Sequence, residues 1–197
     1  MTGENDYAFV DPQPGGRQPA PGRLGLLQAF LNTRFDLSDP GHGDLLTSPG
    51  ALAAWFASRG LPGERRLSRR DLDRALAIRE GLRALAFCNN GRAPDPGAVD
   101  ELREASKGIA TEVRLGPDGP DFVPVDAAGA DPALGVLLAS AAGAMIDGGW
   151  ERLKACPGRD CGWVFFDQSR NGSARWCSMK VCGDREKARA YYRRRTP

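Results

Sequence analysis

Cys156-Pro157-Gly158-Arg159-Asp160-Cys161, followed at a distance by Cys177-Ser178-Met179-Lys180-Val181-Cys182, decides how the rest of the chain is read. Each Cys pair encloses four residues and fifteen residues separate the pairs, an arrangement that fits a four-thiolate zinc site. One knuckle turn can aim only two sulfurs at one point, so a tetrahedral ion needs two such turns from distant chain. In an oxidising compartment the same thiols could form two disulfides instead. The stretch Met1–Tyr7 has no basic region followed by an apolar core and a cleavage site, so a reducing, cytoplasmic setting is expected. Four thiolates close the coordination shell, so the expected cofactor is one Zn2+ with a structural role.

Outward from the cysteines, Gly162-Trp163-Val164-Phe165-Phe166 reads as a strand. Asn171-Gly172 reads as a turn that returns the chain to Arg175-Trp176-Cys177. The expectation is a hairpin over the metal, with Trp163 and Trp176 shielding the sulfurs. So few residues bury little apolar surface, but bound zinc contributes roughly 10–16 kcal/mol in small fingers and can fold them. After Cys182, Gly183-Asp184 introduces a helix over 185–195. At about 100° per residue, Arg185, Arg189 and Arg193 share a face, with Ala188, Tyr191 and Tyr192 beside them and expected to lie against the hairpin.

The charge distribution divides the chain at the same place. Residues 1–150 carry 15 basic against 20 acidic side chains, a net of −5; residues 151–197 carry 12 against 5, a net of +7. A basic finger on an acidic body suggests that the finger meets a polyanion. Arg170, Arg175, Lys180, Arg185, Lys187, Arg189, Arg193 and Arg194 are the candidate phosphate contacts. A charge run is also what an ordinary solvated face looks like, and cations offset the −2 charge of a zinc tetrathiolate. Those needs account for only part of the basic set.

The 197 residues suffice for one domain with a real core plus a small appendage, and no apolar run approaches the ~18 residues of a membrane span. Residues 1–22, rich in Pro, Gly and Gln, read as an extended, loosely attached lead-in. Residues 23–150 read as a mainly helical domain and 151–197 as the finger. Leu24, Leu27, Phe30, Leu31 and Phe35 recur at helical spacing and predict an amphipathic helix ending near Asp36. Asn32 and Thr33 either cap that helix or line a ligand pocket with Arg79. Ser48-Pro49 starts a short helix, and Ser68 with Asp71 forms a capping box for the longest one, which runs to Asn89. Arg79 and Arg83 lie among its apolar positions and are expected to keep their guanidinium groups in water.

A short helix is predicted over 99–107 and a β-hairpin over 111–125. A helix from Asp131-Pro132 is expected to run on to Leu153. Cys88 is read as a small buried hydrophobe. His42, the single histidine, lies in a turn-rich loop, which excludes His–His acid/base pairs and multi-histidine metal centres within one chain. With no phosphate loop, nucleophile motif or open metal site visible, an enzyme is not expected.

The residues Cys161-Gly162-Trp163-Val164-Phe165-Phe166-Asp167-Gln168-Ser169-Arg170-Asn171, Arg175-Trp176-Cys177-Ser178-Met179 and Cys182-Gly183-Asp184-Arg185 resemble the CGNR zinc-finger proteins. Phe30-Leu31-Asn32-Thr33 and Asp44-Leu45-Leu46-Thr47-Ser48-Pro49 look like the opening segments of the ABATE domain that precedes that finger. The resemblance implies a bacterial, stress-linked transcription regulator. It would have a mainly α N-terminal sensor domain with a small β-hairpin, and a C-terminal treble-clef-like four-Cys finger that binds DNA. The third residue of the naming motif, usually Asn, is Asp184 here. Both types cap helices, but Asp would repel a phosphate and cannot donate to an adenine edge. Three partner classes follow: DNA, with an effector ligand or protein acting on the body; RNA, through Trp and Tyr stacking; or an acidic protein docked on the finger.

Overall fold

Side-chain caps at Ser48, Ser68 and Asp95 open three of the helices. The computed structural model describes residues 13–35, 43–117, 119–125 and 128–195. Helix α1 spans Arg23–Leu31, α2 Pro49–Ser58, α3 Arg69–Cys88, α4 Pro96–Ser106, α5 Asp131–Ile146 and α6 Asp184–Arg195. Ser48 Oγ accepts from the Ala51 N–H at 3.1 Å, with Pro49 in the first helical position. The predicted capping box is present: Asp71 N–H donates to Ser68 Oγ at 3.2 Å and Ser68 N–H to Asp71 Oδ2 at 2.8 Å. Strands β1, Thr111–Gly116, and β2, Gly119–Pro124, form the predicted hairpin. Strands β3, Leu153–Ala155, and β4, Val164–Phe166, form a second antiparallel pair. Among the described residues no helix is long and apolar enough to cross a membrane.

α1 is not the amphipathic helix its spacing predicts. Every residue from Gly25 to Leu31 is buried, because the helix sits between α3, α5 and β4. It ends at Leu31, with Asn32 as its C-cap, five residues before the predicted end. One continuous core holds Leu26, Leu27, Phe30, Leu52, Trp55, Ile78, Leu134 and Leu137 from the helices together with Leu153, Ala155 and Val164 from the second β pair. The hairpin that carries the first cysteine knuckle is therefore part of the body's core.

Three further expectations are corrected. α5 stops at Ile146 because Gly148, at φ 78°, takes the left-handed conformation that closes helices; a single 3-10 turn, Trp150–Arg152, then leads into β3. β4 pairs with β3 and not with Arg175–Cys177. Its other edge is also taken, since Asn32 donates from Nδ2 to the Val164 carbonyl and accepts at Oδ1 from the Val164 N–H, both at 2.8 Å. One carboxamide thus does the work of a third strand. Finally, the second half of the lead-in is firmly attached. Gln13 Oε1 accepts from Trp163 Nε1 at 3.1 Å and from Gln28 Nε2 at 3.0 Å, and Arg17 reaches the second knuckle. Residues 1–12 and 36–42, the latter including His42 and most of the turn-rich loop predicted over 38–44, lie outside the described residues.

Candidate zinc centre and nucleic-acid interface

The first knuckle follows directly from β3. Cys156 N–H extends the ladder to the Trp163 carbonyl at 2.9 Å, and Cys161 N–H closes a turn on Gly158 at 3.0 Å. Asp160 (φ 61°) and Gly162 (φ 58°) supply the left-handed residues that bend the chain back into β4. Gly158 permits the knuckles to meet: a Cβ there would lie 3.1 Å from Cys182 Sγ and 3.5 Å from Cys156 Sγ. The second knuckle is a wide helical turn, Met179–Gly183, in which Cys182 N–H donates to Ser178 at 3.0 Å before the chain enters α6.

The four sulfurs lie within 4.8 Å of one another, and no pair is bonded as a disulfide. Cys161 Sγ is 3.7 Å from Cys177 Sγ, which is 3.6 Å from Cys182 Sγ. A tetrahedron with Zn–S bonds of about 2.3 Å has edges of about 3.8 Å, so the donor set fits a zinc ion in size as well as in chemistry. Without metal, S–H donation from Cys161 and Cys177 holds Cys156 as a thiolate, down to about 2. That hydrogen bond to Cys156 in turn pushes Cys161 up to about 12, and Cys177 is raised for the same reason. Zinc uptake must therefore release protons. Phe165, Trp163, Trp176 and Ala174 shield the centre, as the two tryptophans were expected to do.

Polar side chains brace the finger from outside the zinc shell. Arg17 donates from Nε to the Cys177 carbonyl at 2.7 Å and from Nη2 to Trp176 at 2.9 Å, with its guanidinium 4.8 Å from the Phe165 ring centroid. Residues 167–174 wrap around a buried Lys154–Asp167 pair at 2.7 Å. Asp167 accepts from the Ser169 N–H, the Ser169 hydroxyl and the Ala174 N–H, while Lys154 donates to the Gly172 and Ala174 carbonyls. Burial pushes the Asp167 carboxyl up, but Lys154 and Ser169 more than offset it and hold the group below the usual range. This capture of loop amides explains why Asn171-Gly172 makes no two-strand turn.

The three candidate ligand residues are committed to internal bonds. Arg79, 2% exposed, grips Asp44 with Nη1 at 2.7 Å and Nη2 at 2.6 Å, and also donates to Thr33 Oγ1 at 3.0 Å. Thr33 donates to the Phe30 carbonyl, and Asn32 holds β4. Arg83, equally buried, donates to the Gly162 carbonyl at 2.8 Å and to Leu31. Both guanidinium groups are inside the protein, contrary to the expectation that they reach water. The signal for this was available: Asp44 and Glu80 are the carboxylates that compensate them.

The basic candidates are at the surface. Arg170, Arg175, Lys180, Arg185, Lys187, Arg193 and Arg194 are exposed, and Arg189 is half-buried against Glu186. Lys187 lies 3.7 Å from Asp184 in the first turn of α6. Arg185 and Arg189 line a cavity of about 430 Å³ with Arg159 and Trp163 beside the first knuckle. Tyr191 and Tyr192, expected against the hairpin, are exposed at 47% and 68% and meet each other edge to face at 5.7 Å. Their face is turned outward because the inner side of α6 is taken by Glu186, Arg189 and Ala190.

A helical body whose core is completed by a zinc-stapled, cationic finger defines a two-part protein, one part acidic and one basic. Residues 152–195 match the CGNR zinc finger, and residues 24–148 match ABATE, described as "Putative stress-induced transcription regulator". The chain belongs to this family, and Cys156, Cys161, Cys177 and Cys182 form the cluster able to hold its one zinc ion. No curated protein matches the sequence.

Proposed function

We propose that this protein is a non-enzymatic, cytoplasmic transcription regulator whose finger binds DNA through its phosphates while the ABATE body senses an effector. The observation that carries the reading is the cationic surface built around the zinc hairpin. Among the described residues, Arg170, Lys180, Arg185 and Arg194 form no ion pair with a carboxylate, so their charge is available to a polyanion. Contact with about five phosphates gives a log–log salt slope near −4.5. Fluorescence anisotropy with duplex DNA tests this. Binding that ignores salt, or that survives replacement of Arg185, Arg189 and Arg193 by Ala, overturns the reading.

An effector site is supported by a cleft of about 730 Å³ between the β1–β2 hairpin, the end of α5 and the start of α1. Arg23, Leu24, Leu115, Phe122, Ser140 and Gly143 line it, a mixture of apolar walls and a few polar groups within the usual size of small-molecule sites. This cleft replaces Asn32, Thr33 and Arg79 as the candidate ligand site. A second nucleic-acid reading, single-stranded RNA, is favoured by the exposed Tyr191 and Tyr192 beside Lys187 and Arg194, since aromatic faces stack on unpaired bases. Competition between duplex DNA and single-stranded RNA for the intact protein separates the two.

A further inference from the structure

Among the described residues, β1 has one side open. It pairs with β2 in a two-stranded sheet, and all six residues of Thr111–Gly116 are exposed, Val113 at 59% and Leu115 at 85%. The Val125 N–H bonds the Ala110 carbonyl, which extends the ladder by one pair and fixes its parity. Ala110, Glu112 and Arg114 therefore turn their peptide groups toward β2, while Thr111, Val113 and Leu115 turn theirs toward the open side.

We propose that β1 is a self-association edge: two copies of this chain pair their β1 strands antiparallel about a two-fold axis at Val113, joining two hairpins into one four-stranded sheet. Three observations select this partner and this register. First, a two-fold axis at Glu112 would place that carboxylate opposite its own copy, and an axis at Arg114 would do the same for the guanidinium. Only the axis between them, at Val113, sets Glu112 opposite the partner's Arg114 and Arg114 opposite the partner's Glu112. Second, the same axis pairs Val113 with the partner's Val113, and Thr111 with the partner's Leu115, through the peptide groups that face the open side. Third, the two outer edges of the hairpin are unlike. On β2 the outward-turned positions include Pro120 and Pro124, which have no N–H to offer, whereas β1 contains no proline. The 3.5 Å contact between Arg114 and Glu112 within one chain joins two exposed side chains, so it competes weakly.

Sedimentation equilibrium of the full-length, zinc-loaded protein tests the proposal. The wild type is expected at twice the 21.1 kDa chain mass. Glu112→Arg and Arg114→Glu each set like charges opposite one another twice per dimer and should weaken association by roughly tenfold. The exchange of both, Glu112→Arg with Arg114→Glu, restores opposite charges and should restore the dimer. Circular dichroism and zinc content that match the wild type establish that the variants are folded. A monomeric wild type, single reversals that leave the dimer constant unchanged, or a double exchange no stronger than the singles would each overturn the proposal.

Discussion

α3 and α6 both carry arginines one helical turn apart, Arg79 and Arg83 in the first, Arg185, Arg189 and Arg193 in the second, yet the two sets have opposite fates. Those of α3 are almost completely buried and bind a carboxylate, a hydroxyl and backbone carbonyls across the molecule. Those of α6 remain at the surface, with Glu186 as the partner of one. What differs is the company of each helix. α3 places Leu72, Ala75, Ile78, Leu82 and Ala86 beside its arginines, and burying that stripe carries the guanidinium groups inward. α6 has only Ala188, Ala190 and two tyrosines to offer, and it is fastened through its first turn to a zinc knuckle. An arginine spacing states that a face is cationic; the apolar residues around it decide whether that face is covered.

Zinc removal is expected to have the largest effect and to blur the comparison altogether. Because Leu153, Ala155 and Val164 belong to the body's core, the body and finger should lose structure in one cooperative transition when a chelator is added. The expected loss is on the order of 10 kcal/mol, read from thermal melts followed at 222 nm and by tryptophan fluorescence. An unchanged body transition after chelation would show that the shared core is not energetically shared. Protons compete with metal for the raised thiols of Cys161 and Cys177, so zinc affinity should increase with pH.

Next in size is Arg83→Ala. It orphans the Gly162 and Leu31 carbonyls and leaves Glu80 with fewer partners, at a cost of about 3–5 kcal/mol in urea unfolding. Arg83→Lys should not rescue it, since one ammonium cannot span carbonyls on both α1 and the first knuckle. If Arg83→Ala unfolds like the wild type, the buried arginine does not hold the finger to the body.

Acid is expected to attack the same buried network. Burial pushes Asp44 up, but the two-pronged bond from Arg79 and the Leu46 N–H pull it further down, so its folded value lies below the ordinary one. A depressed carboxyl contributes stability that is fully present above its unfolded value, about 3.9, and is lost as pH falls through the folded value. Asp167 and Asp71 share this sign. Unfolding midpoints should therefore fall below about pH 4, and Asp44→Asn should flatten that fall while lowering stability at neutral pH. A midpoint in the wild type that holds steady down to pH 2 would contradict the network's role.

The metal ligands, the helix caps and the first hairpin were legible in the sequence because each depends on local chemistry: cysteine spacing, Ser48 and Ser68, alternation from Thr111. The joint between body and finger was not. Asn32 against Val164, Gln28 against Val164, and Arg17 against Cys177 link residues 132 to 160 positions apart, and single polar residues carry no period. A carboxamide placed immediately after an apolar helix was the available clue, since a buried amide must find both a donor and an acceptor. The tyrosines of α6 misled for the opposite reason. Aromatic side chains suggest burial, but a twelve-residue helix with so few apolar partners can leave them outside.

The smallest effect on stability, and the sharpest on binding, is expected at the pair Arg189–Glu186. Glu186 accepts from Arg189 and from the Arg159 N–H, and this backbone bond, followed by the arginine, holds its carboxyl below the usual range. At neutral pH the pair has no net charge, so Arg189 offers a phosphate less attraction than Arg185 or Arg193. Glu186→Gln keeps an oxygen to accept from the Arg159 N–H, removes the competing carboxylate and leaves the arginine's charge uncompensated. DNA affinity should rise about threefold to tenfold and the salt slope should steepen by about one, while the melting temperature stays within the experimental error. Arg189→Ala should do the reverse, because it exposes an unpaired carboxylate to the phosphates. Equal DNA affinities for Glu186→Gln, Arg189→Ala and the wild type would remove this face of α6 from the interface.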